Sequence, residues 1–138
     1  AHVHRFSADG RHLATWGGVG SGPGQFSTPH GVWVTADDRV LVGDRENDRV
    51  QIFDREGGYR GELRGLYHPM DIWGDSDGMI YVSDQVPAIV AYDRDGAIVG
   101  RARGAQNGGH GIYGDPSGIL FLAEQRPPSL TRLALQAE

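Results

Sequence analysis

Between Pro29 and Phe53 the apolar positions come in short runs separated by polar turns. Gly31 to Val34, Arg39 to Gly43 and Arg49 to Phe53 are rich in β-branched residues, with turns at Ala36-Asp37-Asp38 and Glu46-Asn47-Asp48. Runs of about five residues are too short to sustain the i, i+3, i+4, i+7 recurrence of an amphipathic helix, so the stretch predicts a meander of antiparallel strands. The pattern returns twice. His68-Pro69-Met70-Asp71-Ile72-Trp73 leads into Gly78 to Asp84, and His110-Gly111-Ile112-Tyr113 leads into Gly118 to Glu124. The leading histidines, His30, His68 and His110, are 38 and 42 residues apart; the acids closing the second strand, Asp44, Asp84 and Glu124, are spaced by 40 and 40. Self-similarity at a fixed period of this length is the signature of stacked modules.

Each unit continues into an outer pair of strands. Val50 to Phe53, a turn at Asp54 to Gly58 and Tyr59 to Leu63 are matched by Ile89 to Tyr92, Asp93 to Gly96 and Ala97 to Arg101. The first residues repeat this pair: His2 to Phe6, Ser7 to Gly10, then Arg11 to Trp16, with a Gly/Ser/Pro loop from Gly17 to Thr28. Near the other end, Ser129 to Leu135 reads as a third strand without a fourth. The expectation is one all-β domain over 1–138: outer strands of a partial blade at 1–17, blades at 29–66 and 67–104, and an incomplete blade at 109–138. Four-stranded meanders at this period are the mark of a β-propeller, here with about three blades and eleven to thirteen strands. Propellers close with about four to eight blades, and three leave an apolar face and raw edges in water. The sequence therefore predicts half of a six-bladed ring, completed by a homodimer or belonging to a longer chain. In a dimeric ring, alternate positions would collect His30 and His110 of one copy with His68 of the other.

Composition narrows the function classes. The net charge of −5 and pI near 5.6 provide no basic stripe for nucleic acid. All 13 basic residues are arginine. Cysteine is absent, so disulfides and thiolate metal sites are excluded and the redox compartment is left open. No apolar run reaches the roughly 18 residues of a membrane span, and no signal peptide opens the chain, which leaves its compartment open.

The first strand of a blade lines the axis, so histidines at its start converge. Neutral imidazole is a common ligand for zinc and other divalent transition metals, and three histidines plus water is a recognised catalytic zinc arrangement. His30, His68 and His110 are the candidate ligands. The competing reading is that each satisfies backbone groups where a strand begins. His2, His4 and His12 stand outside the register and read as solvated. Asp44, Asp84 and Glu124 read as turn caps or bonds between blades, and Trp33, Trp73 and Tyr113 as core between blades.

Arg5-Phe6-Ser7-Ala8-Asp9-Gly10, Gly22-Pro23-Gly24-Gln25-Phe26, Pro29-His30-Gly31-Val32 and the stretch from Ala36 to Asp54 resemble NHL repeats. More narrowly, the GPGQFSTPHG and GDRENDRVQIF stretches resemble the peptidyl-α-hydroxyglycine α-amidating lyase branch of six-bladed NHL propellers. That resemblance implies an axial zinc held by histidines of alternate blades, with His30 and His110 at two of the metal positions. It also implies a substrate-facing arginine at Arg45. Gly109 and Gly111 depart from that branch, which has Met before its last zinc histidine and Asp after it. Two function classes follow: a metal-dependent lyase-like or hydrolase-like enzyme, or a non-catalytic module that binds a peptide, a protein or a small ligand.

Overall fold

Turn chemistry sets the frame. At Asp54, Asp75, Asp93 and Asp115 the same device recurs: one carboxylate oxygen accepts the N–H groups two and four residues on. In Asp54 these come from Glu56 (3.0 Å) and Gly58 (2.8 Å), and in Asp75 from Asp77 and Met79 (both 2.9 Å). Asp93 and Asp115 repeat the pair. An aspartate that bonds its own chain in this way closes a tight turn between two β-runs.

The computed structural model describes residues 1–86, 88–103, 109–125 and 127–134. Among these the chain forms thirteen strands and one short 3₁₀ turn, Arg45–Asn47. Strands β1 (His2–Phe6) and β2 (His12–Gly17) form a hairpin. Blade A consists of β3 (Pro29–Val34), β4 (Val40–Asp44), β5 (Arg49–Phe53) and β6 (Tyr59–Leu63). Blade B consists of β7 (Asp71–Gly74), β8 (Ile80–Asp84), β9 (Ala88–Tyr92) and β10 (Ile98–Ala102). Blade C has three strands, β11 (Gly109–Gly114), β12 (Ile119–Gln125) and β13 (Pro128–Ala134). Every pairing between strands is antiparallel. The expected blade limits at 104 and over 135–138 lie outside the described residues.

The blades stack through their faces. β3 packs on β7 and β7 on β11, so the first strands adjoin and line the axis of a partial β-propeller. Leu41, Val50 and Leu63 of blade A meet Ile72, Ile80, Val82, Val90 and Tyr92 of blade B. Trp73, Tyr81 and Ile89 of blade B meet Ile112, Leu120 and Leu122 of blade C. Val3 and Trp16 of the hairpin cover Phe26, Val40, Val42 and Phe53. Each fully buried aliphatic side chain contributes about 1.5–3 kcal/mol, and the pleat's period of two brings it to the right face.

Pairing fixes the equivalences between blades. Trp33 opposes Leu41, Trp73 opposes Tyr81 and Tyr113 opposes Phe121. Counting back three residues from each aromatic aligns His30, Met70 and His110. His68 aligns instead with Thr28, and both carry a left-handed backbone, φ 48° and 57°.

Candidate functional site at the axial end

The starts of β3, β7 and β11 gather at one end of the axis. There the rings of His30 and His110, from blades two apart, lie with centroids 5.0 Å apart at 74°, edge to face. His30 Nδ1 is 2.7 Å from the carbonyl oxygen of Met70. A carbonyl only accepts, so Nδ1 carries the proton and the Nε2 lone pair is left for another partner. Met70 itself is buried, with its sulfur 3.5 Å from Gln85 Nε2.

Asp71 sits between the two histidine strands, a position that reasoning from the sequence did not single out. Its Oδ2 accepts the N–H of Ile112 at 3.0 Å, tying blade B to blade C. A Cβ on Gly31 would stand 3.0 Å from Asp71 Oδ1 and 2.8 Å from the Asp71 Cα, so glycine at 31 makes room for it. The signal was present: Gly31, Asp71 and Gly111 share one register position, and only the middle blade carries an acid there.

His68 and Arg45 lie in the neighbouring turns. The His68 ring stacks on Tyr67 at 4.3 Å, its Nδ1 is 3.2 Å from Gln85 Oε1, and its Nε2 is 3.5 Å from Glu46 Oε2. Its backbone N–H donates to Asp48 Oδ1 at 2.8 Å. Arg45 opens the 3₁₀ turn; its Nη1 donates to Glu46 Oε1 at 2.5 Å, and its buried Nε has no partner among the described residues. The structure thus brings His30 to His110 and places His68 beside Glu46, itself the partner of Arg45. Among the described residues no group of three or more His, Asp or Glu side chains gathers in a geometry that would hold a metal ion.

Behind this rim stand the three acids that close the second strands, all buried. Asp44 accepts from Ser27 N (2.7 Å), Arg49 Nε (2.8 Å), Asn47 Nδ2 (2.9 Å) and Gln51 Nε2 (3.1 Å). Glu124 accepts from the hydroxyls of Ser129 (2.7 Å) and Thr131 (3.1 Å). Asp84 accepts from Tyr67 N at 3.3 Å on Oδ2, while its Oδ1 is buried with no partner among the described residues. Burial pushes the Asp84 carboxyl above the ordinary carboxylate range.

Residues 26–53 match the NHL repeat family. The E3 ubiquitin-protein ligase TRIM32 of Mus musculus is 31% identical over 131 residues, covering 81% of this chain and 20% of that protein. Peptidyl-glycine alpha-amidating monooxygenase A of Xenopus laevis is 36% identical over 63 residues, covering 42% of this chain and 7% of that protein. The chain thus spans a fifth or less of either relative. A crystal structure of a protein of unknown function from Bacteroides caccae superposes with a TM-score of 0.74 at 12% identity, covering 96% of this chain and 55% of that one, a likeness of fold. With the 40-residue register and the stacked four-stranded sheets, these likenesses identify an NHL repeat over residues 26–53 within a partial β-propeller.

Proposed function

We propose that the axial end of this propeller binds a divalent transition metal such as zinc through His30 and His110, in the service of lyase-like chemistry on a substrate not yet identified. The observation that carries the reading is the meeting of those two imidazoles, 5.0 Å apart, from blades two apart. The donor set fits two ligands of such an ion, because the Met70 carbonyl orients His30 and leaves its Nε2 as the donor. Bound there, the ion would supply Lewis-acid polarisation of a substrate oxygen. The chain's own groups do the remaining work. Met70 O fixes the His30 tautomer, Asp71 holds blades B and C in register beneath the pair, and Arg45 exchanges Glu46 for a substrate carboxylate. The likeness to the amidating monooxygenase over 63 residues supports the lyase-like part.

A second reading, a non-catalytic binding module, is favoured by the broader likeness to TRIM32, 81% of the chain against 42%. Titration with zinc followed by calorimetry separates the two. The metal reading expects His30→Ala and His110→Ala each to weaken binding by about tenfold or more, because each removes a direct ligand, and His12→Ala to leave it unchanged. Equal zinc affinity in His30→Ala and the parent chain would leave the binding module standing.

A further inference from the structure

Blade B departs from the repeat at its rim. Ser27 and Tyr67 hold one position, each donating its backbone N–H to the acid that closes its blade's second strand, Asp44 at 2.7 Å and Asp84 at 3.3 Å. Thr28 and His68 follow them, both with a left-handed backbone. Blade A thus builds this turn from two small hydroxyl side chains, and blade B puts two rings in the same place. The fold does not call for the rings: Tyr67 is 49% exposed and stands outside the clusters that join the blades. Backbone strain such as that of His68 persists only where its surroundings enforce it, and it collects at binding sites.

The rings are firmly mounted. They stack with centroids 4.3 Å apart and planes 11° from parallel. The Tyr67 carbonyl accepts the N–H of Gln85 at 3.0 Å, and the His68 imidazole is flanked at both nitrogens, by Gln85 Oε1 at 3.2 Å and Glu46 Oε2 at 3.5 Å. His68 therefore backs one face of the Tyr67 ring and leaves the other to solvent. Glu46 also joins this stack to Arg45, whose Nη1 donates to Glu46 Oε1 at 2.5 Å and whose buried Nε has no partner among the described residues. A flat ring supported from behind offers its free face to a second aromatic ring, and a guanidinium with an N–H still to fill suits a carboxylate.

We propose that Tyr67 and Arg45 form a binding site for an aryl carboxylate: Arg45 takes the carboxylate in place of Glu46, and the open face of Tyr67 stacks on the aromatic ring. The inference rests on the substrate-carboxylate role proposed for Arg45 and narrows it to one class of ligand. The span is short, because a single side-chain carboxylate, that of Glu46, reaches from the guanidinium to the imidazole behind Tyr67. An alkyl linker of a few carbons between ring and carboxylate covers it. Charge favours a ligand with one negative group over a polyanion. One carboxylate replacing another leaves the balance at Arg45 unchanged, whereas a chain of phosphates would meet Glu46 and Asp48, which stand together at His68.

The test titrates the full chain with 4-phenylbutyrate and with butyrate, followed by NMR, beside the zinc titration. The ring is expected to tighten binding by about tenfold. Tyr67→Ala is expected to abolish that difference and Tyr67→Phe to keep it. The uncharged 4-phenylbutyramide is expected to bind about tenfold more weakly than the acid, and Arg45→Gln to remove this second difference. Circular dichroism shows that each variant is folded. Equal affinity for the two acids, no binding of either, or a preference for the ring that survives Tyr67→Ala in a folded chain overturns the proposal. Zinc bound through His30 and His110 with no preference for the ring defeats this site alone; the preference without zinc binding defeats the metal reading alone.

Discussion

Asp44 and Asp84 occupy one position in adjacent blades, and their surroundings differ sharply. Asp44 takes four donors, two of them from β5, where Arg49 and Gln51 stand. The guanidinium of Arg49 is in turn held by the carbonyls of Gly22 (2.9 Å) and Gln25 (3.0 Å) in the long loop before β3. In blade B the residues at those strand positions are Ala88 and Val90, paired with Asp84 and Val82. The connection before β7 spends its carbonyls elsewhere: Arg64 O accepts the Tyr92 hydroxyl at 2.8 Å and Gly65 O the Arg101 guanidinium at 2.7 Å, on the outer strands rather than beside Asp84. Among the described residues Asp84 accepts the Tyr67 N–H on Oδ2, and its buried Oδ1 lacks a hydrogen-bond partner. The comparison teaches that a buried carboxylate is made stable by its donors and by whatever holds those donors, not by its place in the fold.

Arg49→Ala breaks the comparison most severely, because it leaves the Asp44 charge buried without its counter-ion. Denaturant unfolding is expected to register a loss of about 3–5 kcal/mol; a loss no larger than that of an exposed pair such as Arg55 with Asp38 would show that the network is not coupled.

Asp84→Asn has the opposite sign. Burial raises the folded-state pKa of Asp84 above its unfolded value, so in that window the folded chain binds the extra proton. Stability from this group is present at low pH and lost as pH climbs from the ordinary aspartate value through the raised one. The substitution is expected to add about 1 kcal/mol at neutral pH and nothing below the ordinary carboxylate pKa. Urea unfolding over a pH series measures it, and a less stable variant at neutral pH would contradict the account.

The smallest effect sharpens the contrast. Val90→Gln carries the Gln51 donor into blade B, at the cost of apolar packing. A double-mutant cycle with Asp84→Asn is expected to give a favourable coupling of about 0.5–1 kcal/mol between the new amide and the carboxylate; zero coupling would mean that the amide does not reach Asp84.

Much of the fold was legible along the chain. Alternating apolar runs and aspartate turns mark strands because both act within a few residues, and the 40-residue spacing of the acids marks the blades. The site was legible in part. His30 and His110 share a register position that the period exposes. The sequence spacing puts His68, 38 residues after His30, at the same position, but the structure aligns it with Thr28 and turns it, through a left-handed backbone, toward Glu46 and Gln85. The spacing of the acids already pointed to residue 70. Asp71 and Gly31 escaped notice, and Gly111 stood out only as a departure from the lyase branch, because their role exists only across a gap between blades.

By itself the sequence determined the local geometry: where strands run, where they turn, and which side chains share a face, since the pleat alternates every residue. Only the tertiary structure decided which faces meet. Whether an aromatic finds a glycine, as Trp73 finds Gly114, or a carboxylate finds a guanidinium, as Asp44 finds Arg49, depends on contacts between segments that are distant or belong to different strands. Such contacts are set by the rotation from blade to blade and by how strands pair, which the pattern of apolar and polar residues does not contain.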